Sequence, residues 1–230
     1  LDETTARIAL RHADAVVHAW AARLLGDEWG AQRNLGAGRH ALFPAGVLPL
    51  ALFDALVAQA RAETDPETLV QFAATARRLA ASQALPLVAA VLAHAEAGGD
   101  AYLPLMCWWV FEAHIPAANR EVLAFFAEPA SWESPLVAEQ ILPRLARRYA
   151  VEGRRQDLLL CAELFRHAPS PRHAAQLMRG LEEAFRGRPI FPRSRNSPEQ
   201  FCLVMPFCAT YVLGLTPITN KRSGGGQKAT

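Results

Sequence analysis

The feature that most constrains this chain is a set of three dipeptides, Asp65-Pro66, Ser134-Pro135 and Ser170-Pro171, each standing before an apolar run of helical period. The Asp or Ser oxygen can accept from an orphan N–H of the first turn, and proline at the first helical position sacrifices no hydrogen bond. Each pair therefore predicts a helix start. Gly26, Gly98-Gly99, Gly153 and Gly187 stand where the runs should stop, because glycine tolerates the left-handed geometry of a helix C-cap. Between these marks apolar residues recur at helical spacing up to about Gly187, and no convincing strand alternation interrupts them.

The marks predict about ten helices, at 3–12, 14–26, 47–62, 66–80, 83–96, 101–114, 118–127, 135–151, 155–167 and 171–186. The links are short except for 27–46, where Gly30, Gly36, Gly38 and Pro44 indicate a longer loop or insertion. Helices of this length on short links pack antiparallel, in a bundle or in stacked pairs. Pro49, Pro86 and Pro104 lie close enough to predicted starts to be tolerated. Pro143 is deeper in its helix. A kink is expected there, because an interior proline costs about 3 kcal/mol in a lost hydrogen bond and ring crowding.

Two segments share a pattern. Asp14-Ala-Val-Val-His-Ala-Trp-Ala-Ala-Arg-Leu-Leu-Gly26 and Asp65-Pro-Glu-Thr-Leu-Val-Gln-Phe-Ala-Ala-Thr-Ala-Arg-Arg-Leu79 both open on a capping aspartate and continue as an alanine-rich amphipathic helix. Such a helix cannot bury its apolar face alone and needs stacked neighbours. The two starts, Asp14 and Asp65, are 51 residues apart. HEAT units run ~40–47 residues, and the 27–46 insertion accounts for the excess. The expected fold is all-α, a HEAT-like α-solenoid of antiparallel helix pairs over 1–188, with an irregular α-helical bundle as the alternative. Residues 189–230 form a separate, irregular tail.

Further motifs fall in a set order: helix 14–26, Glu63-Thr-Asp-Pro66, Arg77-Arg78, Leu105-Met-Cys-Trp-Trp109 with Glu112, and Leu142-Pro-Arg-Leu-Ala-Arg-Arg-Tyr149. Over about 5–188 the chain resembles the HEAT-like region of large exported planctomycete and verrucomicrobial proteins. In that family the region lies between a quinoprotein-like β-propeller of membrane-bound-dehydrogenase type and a c-type cytochrome module. The resemblance implies a helical spacer within an exported redox protein, with flanking domains or another protein as its partners. This chain has no propeller and no C-x-x-C-H, and none of the family's cofactor-binding residues carry over, so no cofactor is expected in this segment. The opening Leu1-Asp2-Glu3 is neither a methionine start nor an export signal, and it reads as the edge of an internal piece.

Composition narrows the function classes. A net charge of +2 gives no strong electrostatic footprint for nucleic acid. All basic residues before Lys221 are arginine, which together with heavy alanine use reflects a GC-rich coding sequence more than a need for guanidinium chemistry. The apolar runs 101–111 and 201–215 are shorter than the about 20 residues a spanning helix needs. Cys107 and Cys161 sit in apolar helical stretches as small buried thiols, and neither they nor Cys202 and Cys208 form C-x-x-C.

No catalytic set emerges. Glu112 and His114 are two apart on a helix and diverge, which makes them a poor chelate with His94, and capping or surface roles are expected. His12 with His18, and His167 with His173, lack the i, i+4 spacing of a helical zinc pair. There is no G-x-S-x-G elbow and no phosphate loop, and Ser134 and Ser170 are assigned to caps. The candidate surface comprises Arg77, Arg78, Arg144, Arg147, Arg148, Trp108 and Trp109. Adjacent helical residues diverge by about 100°, so at most one of the tryptophans faces a groove while the other packs inward. The arginines read first as a solvated face partly paired with Glu139 and Glu152, and second as a ridge for an anion or a partner.

The expected function is a non-catalytic scaffold or protein-interaction segment. The alternative is a DNA-binding or DNA-repair HEAT-like protein using an arginine-lined concave face, and a third reading has the segment contribute residues to a neighbouring redox site. The tail changes character after Arg188, and Ser223-Gly-Gly-Gly-Gln-Lys-Ala-Thr230 reads as a flexible end. Its apolar run 201–215 reads as an extra helix, a strand-like excursion or non-native read-through.

Overall fold

Aspartate caps open the first helices. Asp2 accepts from the Thr5 N–H at 2.9 Å, Asp14 from Val16 at 2.9 Å and Asp65 from Thr68 at 2.8 Å. The computed structural model describes residues 1–27, 29, 33–34, 40–41, 45–94 and 100–186. Among them are nine α-helices: α1 (Glu3–Ala9), α2 (Ala15–Gly26), α3 (Leu50–Ala62), α4 (Pro66–Ala76), α5 (Ala81–Leu92), α6 (Leu103–Phe125), α7 (Leu142–Val151), α8 (Arg155–His167) and α9 (Pro171–Phe185). The fold is all-α. One two-residue antiparallel pair, Arg33–Asn34 with His40–Ala41, lies within the 27–46 insertion. The tail at 189–230, Cys202, Cys208, Gly98, Gly99 and Gly187 fall outside the described residues.

Several sequence expectations need correction. Only Asp65 of the three helix-start residues makes its predicted side-chain cap. Ser170 Oγ lies 2.8 Å from His173 Nδ1 instead, and Ser134 Oγ is buried without a partner, so both helix starts rely on backbone bonds from Ala174 and Ala138. The predicted helices 101–114 and 118–127 are both present as two helical stretches within α6, divided by a kink where Ala118 leaves helical geometry (φ −136°, ψ 40°), so only the boundary shifts. Pro116, which has no N–H to offer the preceding turn, lies two residues before this kink. Pro86 also lies six residues into α5 rather than near its start. Gly153 takes the left-handed conformation (φ 64°) after α7, as a C-cap glycine should.

Pro143 disturbs its helix as expected, and the disturbance takes the form of a π-turn, Val137–Ile141, immediately before α7. A proline at 143 leaves the Glu139 carbonyl without the donor four residues on. Arg179 Nη2 of α9 donates to that oxygen at 2.9 Å, and Arg144 Nη1 donates to the neighbouring Gln140 carbonyl at 2.7 Å. The proline-freed backbone is thus satisfied from the next helix but one. Gly180 of α9 completes the contact, because a Cβ built there would stand 1.9 Å from the Pro143 carbonyl oxygen.

Many of the main contacts join helices two apart: α1 touches α3, α2 touches α4, α3 touches α5, α4 touches α6, α6 touches α8 and α7 touches α9, whereas α5 packs on α3, α4 and α6 and not substantially on α7. The α2–α4 contact is register-locked. Thr75 Oγ1 donates to the Ala22 carbonyl at 2.6 Å, and Thr68 Oγ1 shares its proton between Asp65 at 2.7 Å and the Ala15 carbonyl at 3.1 Å, the two cross-helix contacts each spanning 53 residues. Arg78 pairs with Asp27 at 2.9 Å at the far end. The two helices therefore run parallel, and they are the two segments that share a sequence pattern. Replacing Thr75 with valine keeps the shape and removes the hydroxyl, so a loss of about 1 kcal/mol is expected in urea unfolding.

The core runs through all nine helices. Its aromatic centre joins Phe111, Phe125 and Phe126 of the α6 end to Trp132, with ring centroids 5.0–5.9 Å apart. Trp132 Nε1 donates to the Phe126 carbonyl at 2.8 Å, satisfying the one polar atom of a buried indole.

Candidate partner-binding surface

The adjacent tryptophans divide as helix geometry requires. Trp108 is 8% exposed and belongs to the core, whereas Trp109 is half-buried and packs at its edge. The Arg77 guanidinium of α4 lies over the Trp109 ring, 5.3 Å from its centroid. A cation on an indole face is attracted by the ring quadrupole, so these two candidates form one composite surface across α4 and α6. Trp108 drops out of any binding role.

The other arginines are engaged locally. Arg78 spans to Asp27 of the α2 end, Arg144 donates to the Gln140 backbone and to its side-chain oxygen at 2.7 Å, and Arg148 lies 3.5 Å from Glu152. Arg147 stands exposed between the last two. The expected pairing with Glu152 is present. Glu139 instead faces Arg172 of α9 at 3.6 Å. Arg144, Arg147 and Arg148 share α7, while Arg77 and Arg78 end α4, and α6 touches both helices. The structure therefore separates the seven candidates into an α4–α6 patch, an α7 patch and one core residue.

The histidines serve the backbone. His94 Nε2 bonds the Ala60 carbonyl at 2.8 Å, and His173 Nε2 bonds the Trp132 carbonyl at 3.1 Å. His114 is buried rather than a capping or surface residue. Burial holds its pKa below the usual histidine range against a bond to the Ala76 carbonyl, and its Nε2 has no partner. Among the described residues no group of three or more His, Cys, Asp or Glu is placed to hold a metal ion. Cys107 and Cys161 are both fully buried thiols, and burial pushes Cys107 up to about 12, far from a reactive thiolate.

One polar cluster escaped the sequence reading. His18 of α2 and Glu63 after α3 are both buried, and His18 Nδ1 lies 2.8 Å from Glu63 Oε2. His18 Nε2 bonds the His12 carbonyl. Nε2 thus faces an acceptor, while Nδ1 lies between the Glu63 carboxylate and the Gln59 side-chain nitrogen at 3.1 Å. Glu63 Oε1 accepts from the backbone N–H of Thr64 at 2.9 Å and of Asp65 at 3.0 Å. Burial alone would raise the Glu63 pKa, but the Asp65 N–H, His18 and the Thr64 N–H outweigh it and hold the carboxyl below its ordinary value. The residues are 45 apart in sequence, so no local spacing announces them.

An open cleft of about 470 Å³ lies between the ends of α3 and α5 and the turn into the π segment, with Arg61 and Glu133 among alanines, Phe125 and Val137. No helix among the described residues is long and apolar enough to cross a membrane. Comparison of the chain with protein-family models, characterised proteins and solved structures finds no match.

Proposed function

We propose that this chain is a non-catalytic helical-repeat scaffold, a HEAT-like solenoid segment that presents a surface to a protein partner. The observation that carries the reading is the parallel, register-locked stacking of α2 on α4, which is continued by contacts between α4 and α6 and between α6 and α8. Stacked helix pairs bury a continuous core by neighbour contacts and leave long faces free for binding. The surface offered is the Arg77–Trp109 patch together with Arg147 on α7. A planar cation backed by an indole suits a carboxylate-bearing or aromatic partner segment. The motif order over 5–188 adds the context of a spacer in an exported dehydrogenase–cytochrome type protein, and the sequence resemblance is its sole support.

The DNA-binding alternative has weaker support, because Arg78 and Arg148 face acidic neighbours and the net charge is only +2. Fluorescence anisotropy of labelled duplex DNA across a salt series separates the two. The scaffold reading expects negligible retention at physiological salt. Tight binding with a steep inverse dependence on salt would sink it, since phosphate neutralisation releases counterions in proportion to the contacts made.

A further inference from the structure

α2 closes two of its sides and leaves a third open. The Ala15 and Ala22 carbonyls and Gly26 face α4, while His18, Ala21 and Leu25 are buried. On the open side Val16, Trp20 and Leu24 are 61%, 54% and 43% exposed. Their i, i+4, i+8 spacing makes them one ridge, each side chain a turn above the last. A contiguous row of large apolar side chains at the surface marks an interaction face.

The ridge has the same character read from either end, an aliphatic residue on each side of a central tryptophan. Two copies can therefore meet antiparallel about a two-fold axis at Trp20, with each Val16 on the other copy's Leu24. The surrounding charges follow the same symmetry. A groove of about 240 Å³ between α2 and α4 is lined by Val16, Trp20 and Arg23 on one wall and by Asp65 and Glu67 on the other. The Thr68–Ala15 bond places the acidic pair at the N-terminal end of the ridge, whereas Arg23 lies toward its C-terminal end, 5.2 Å from the Trp20 ring centroid. Antiparallel docking brings each Arg23 to the acidic end of the opposite copy. The exposed Arg23–Asp27 pair at 3.7 Å is worth little and does not oppose this.

We infer that α2 is a self-association face, through which two copies form an isologous dimer on Val16, Trp20 and Leu24, with Arg23 of each against Asp65 and Glu67 of the other. The contact is one helix ridge per copy, so the dimer is reversible and weak. It does not depend on the Arg77–Trp109 patch, and its failure leaves the scaffold reading standing.

Sedimentation velocity of the full 230-residue chain from low to high micromolar concentration tests the inference. A mass rising toward twice 25.1 kDa is expected. Trp20→Glu should weaken association by about 30-fold or more, as the loss of a central aromatic anchor does. Arg23→Glu should weaken it several-fold, and adding Glu67→Arg should restore it, a rescue that neither misfolding nor association through another surface would produce. Unchanged circular dichroism and melting confirm that these exposed substitutions leave the fold intact. A chain that stays monomeric throughout, association indifferent to Trp20→Glu, or a charge reversal without rescue would each overturn the dimer.

Discussion

Gly180→Ala is expected to destabilise this protein by about 3 kcal/mol or more, read as a fall in the urea midpoint at unchanged slope. Helix propensity alone predicts the opposite sign, because alanine is favoured over glycine by about 1 kcal/mol in a helix interior. The tertiary contact decides. A Cβ at 180 would stand 1.9 Å from the Pro143 oxygen and 2.7 Å from its carbonyl carbon, both backbone atoms that no rotamer change can move aside. α9 must back away from α7, and the Arg179 bond to the proline-freed Glu139 carbonyl is stretched with it. A neutral or stabilised variant would show that α9 does not seat on Pro143. Glu182→Ala, on the exposed face of the same helix, should stay within about 0.5 kcal/mol and serves as the control.

Breaking the buried His18–Glu63 pair is the second large effect. Glu63→Gln keeps the size and replaces a carboxylate oxygen that faces His18 Nδ1 and the Thr64 and Asp65 N–H groups, so at least one buried partner loses its acceptor. A loss of about 1–3 kcal/mol is expected, because removing one partner of a buried hydrogen bond leaves the other unsatisfied away from water. The pH dependence has a definite sign. The Glu63 carboxyl is held below its ordinary value of 4.5 in the folded chain, so its contribution is present above that value and is lost as the pH falls through the folded pKa. The parent chain should therefore lose stability on acidification below about 4.5 more steeply than Glu63→Gln. Parallel stability curves for the two over that range would refute the role given to the pair. The pair ties the α1–α2 link and α2 to the end of α3, so its loss should first loosen the N-terminal helices in hydrogen exchange.

Most of the helix plan was legible because its signals are local. The caps at Asp14 and Asp65, the left-handed stop at Gly153 and the disturbance before Pro143 each depend on one or two residues and their immediate backbone, whereas Gly26 ends α2 in helical geometry and not as a left-handed cap. The errors also have local causes. Ser134 and Ser170 have the right chemistry for caps, yet Ser170 found His173 and Ser134 was buried by its neighbours. The break read at 115–117 is present as the kink at Ala118, a residue or two further on, which divides α6 into two helical stretches.

The candidate site was less legible. Sequence reasoning placed Arg77 and Trp109 on separate helices without linking them, and treated Trp108 as their equal. It passed over His18 and Glu63, whose pairing spans α3, and it gave no weight to the Val16–Trp20–Leu24 ridge. By itself the sequence determined the all-α class and most of the helix starts, since helical period and capping chemistry are written within a turn or two. Only the tertiary structure decided which side of each helix is covered. That choice turns on contacts such as Thr75 with Ala22, Gly180 with Pro143 and His18 with Glu63, where backbone approach and buried acceptors far along the chain set which side chain can stand at each position.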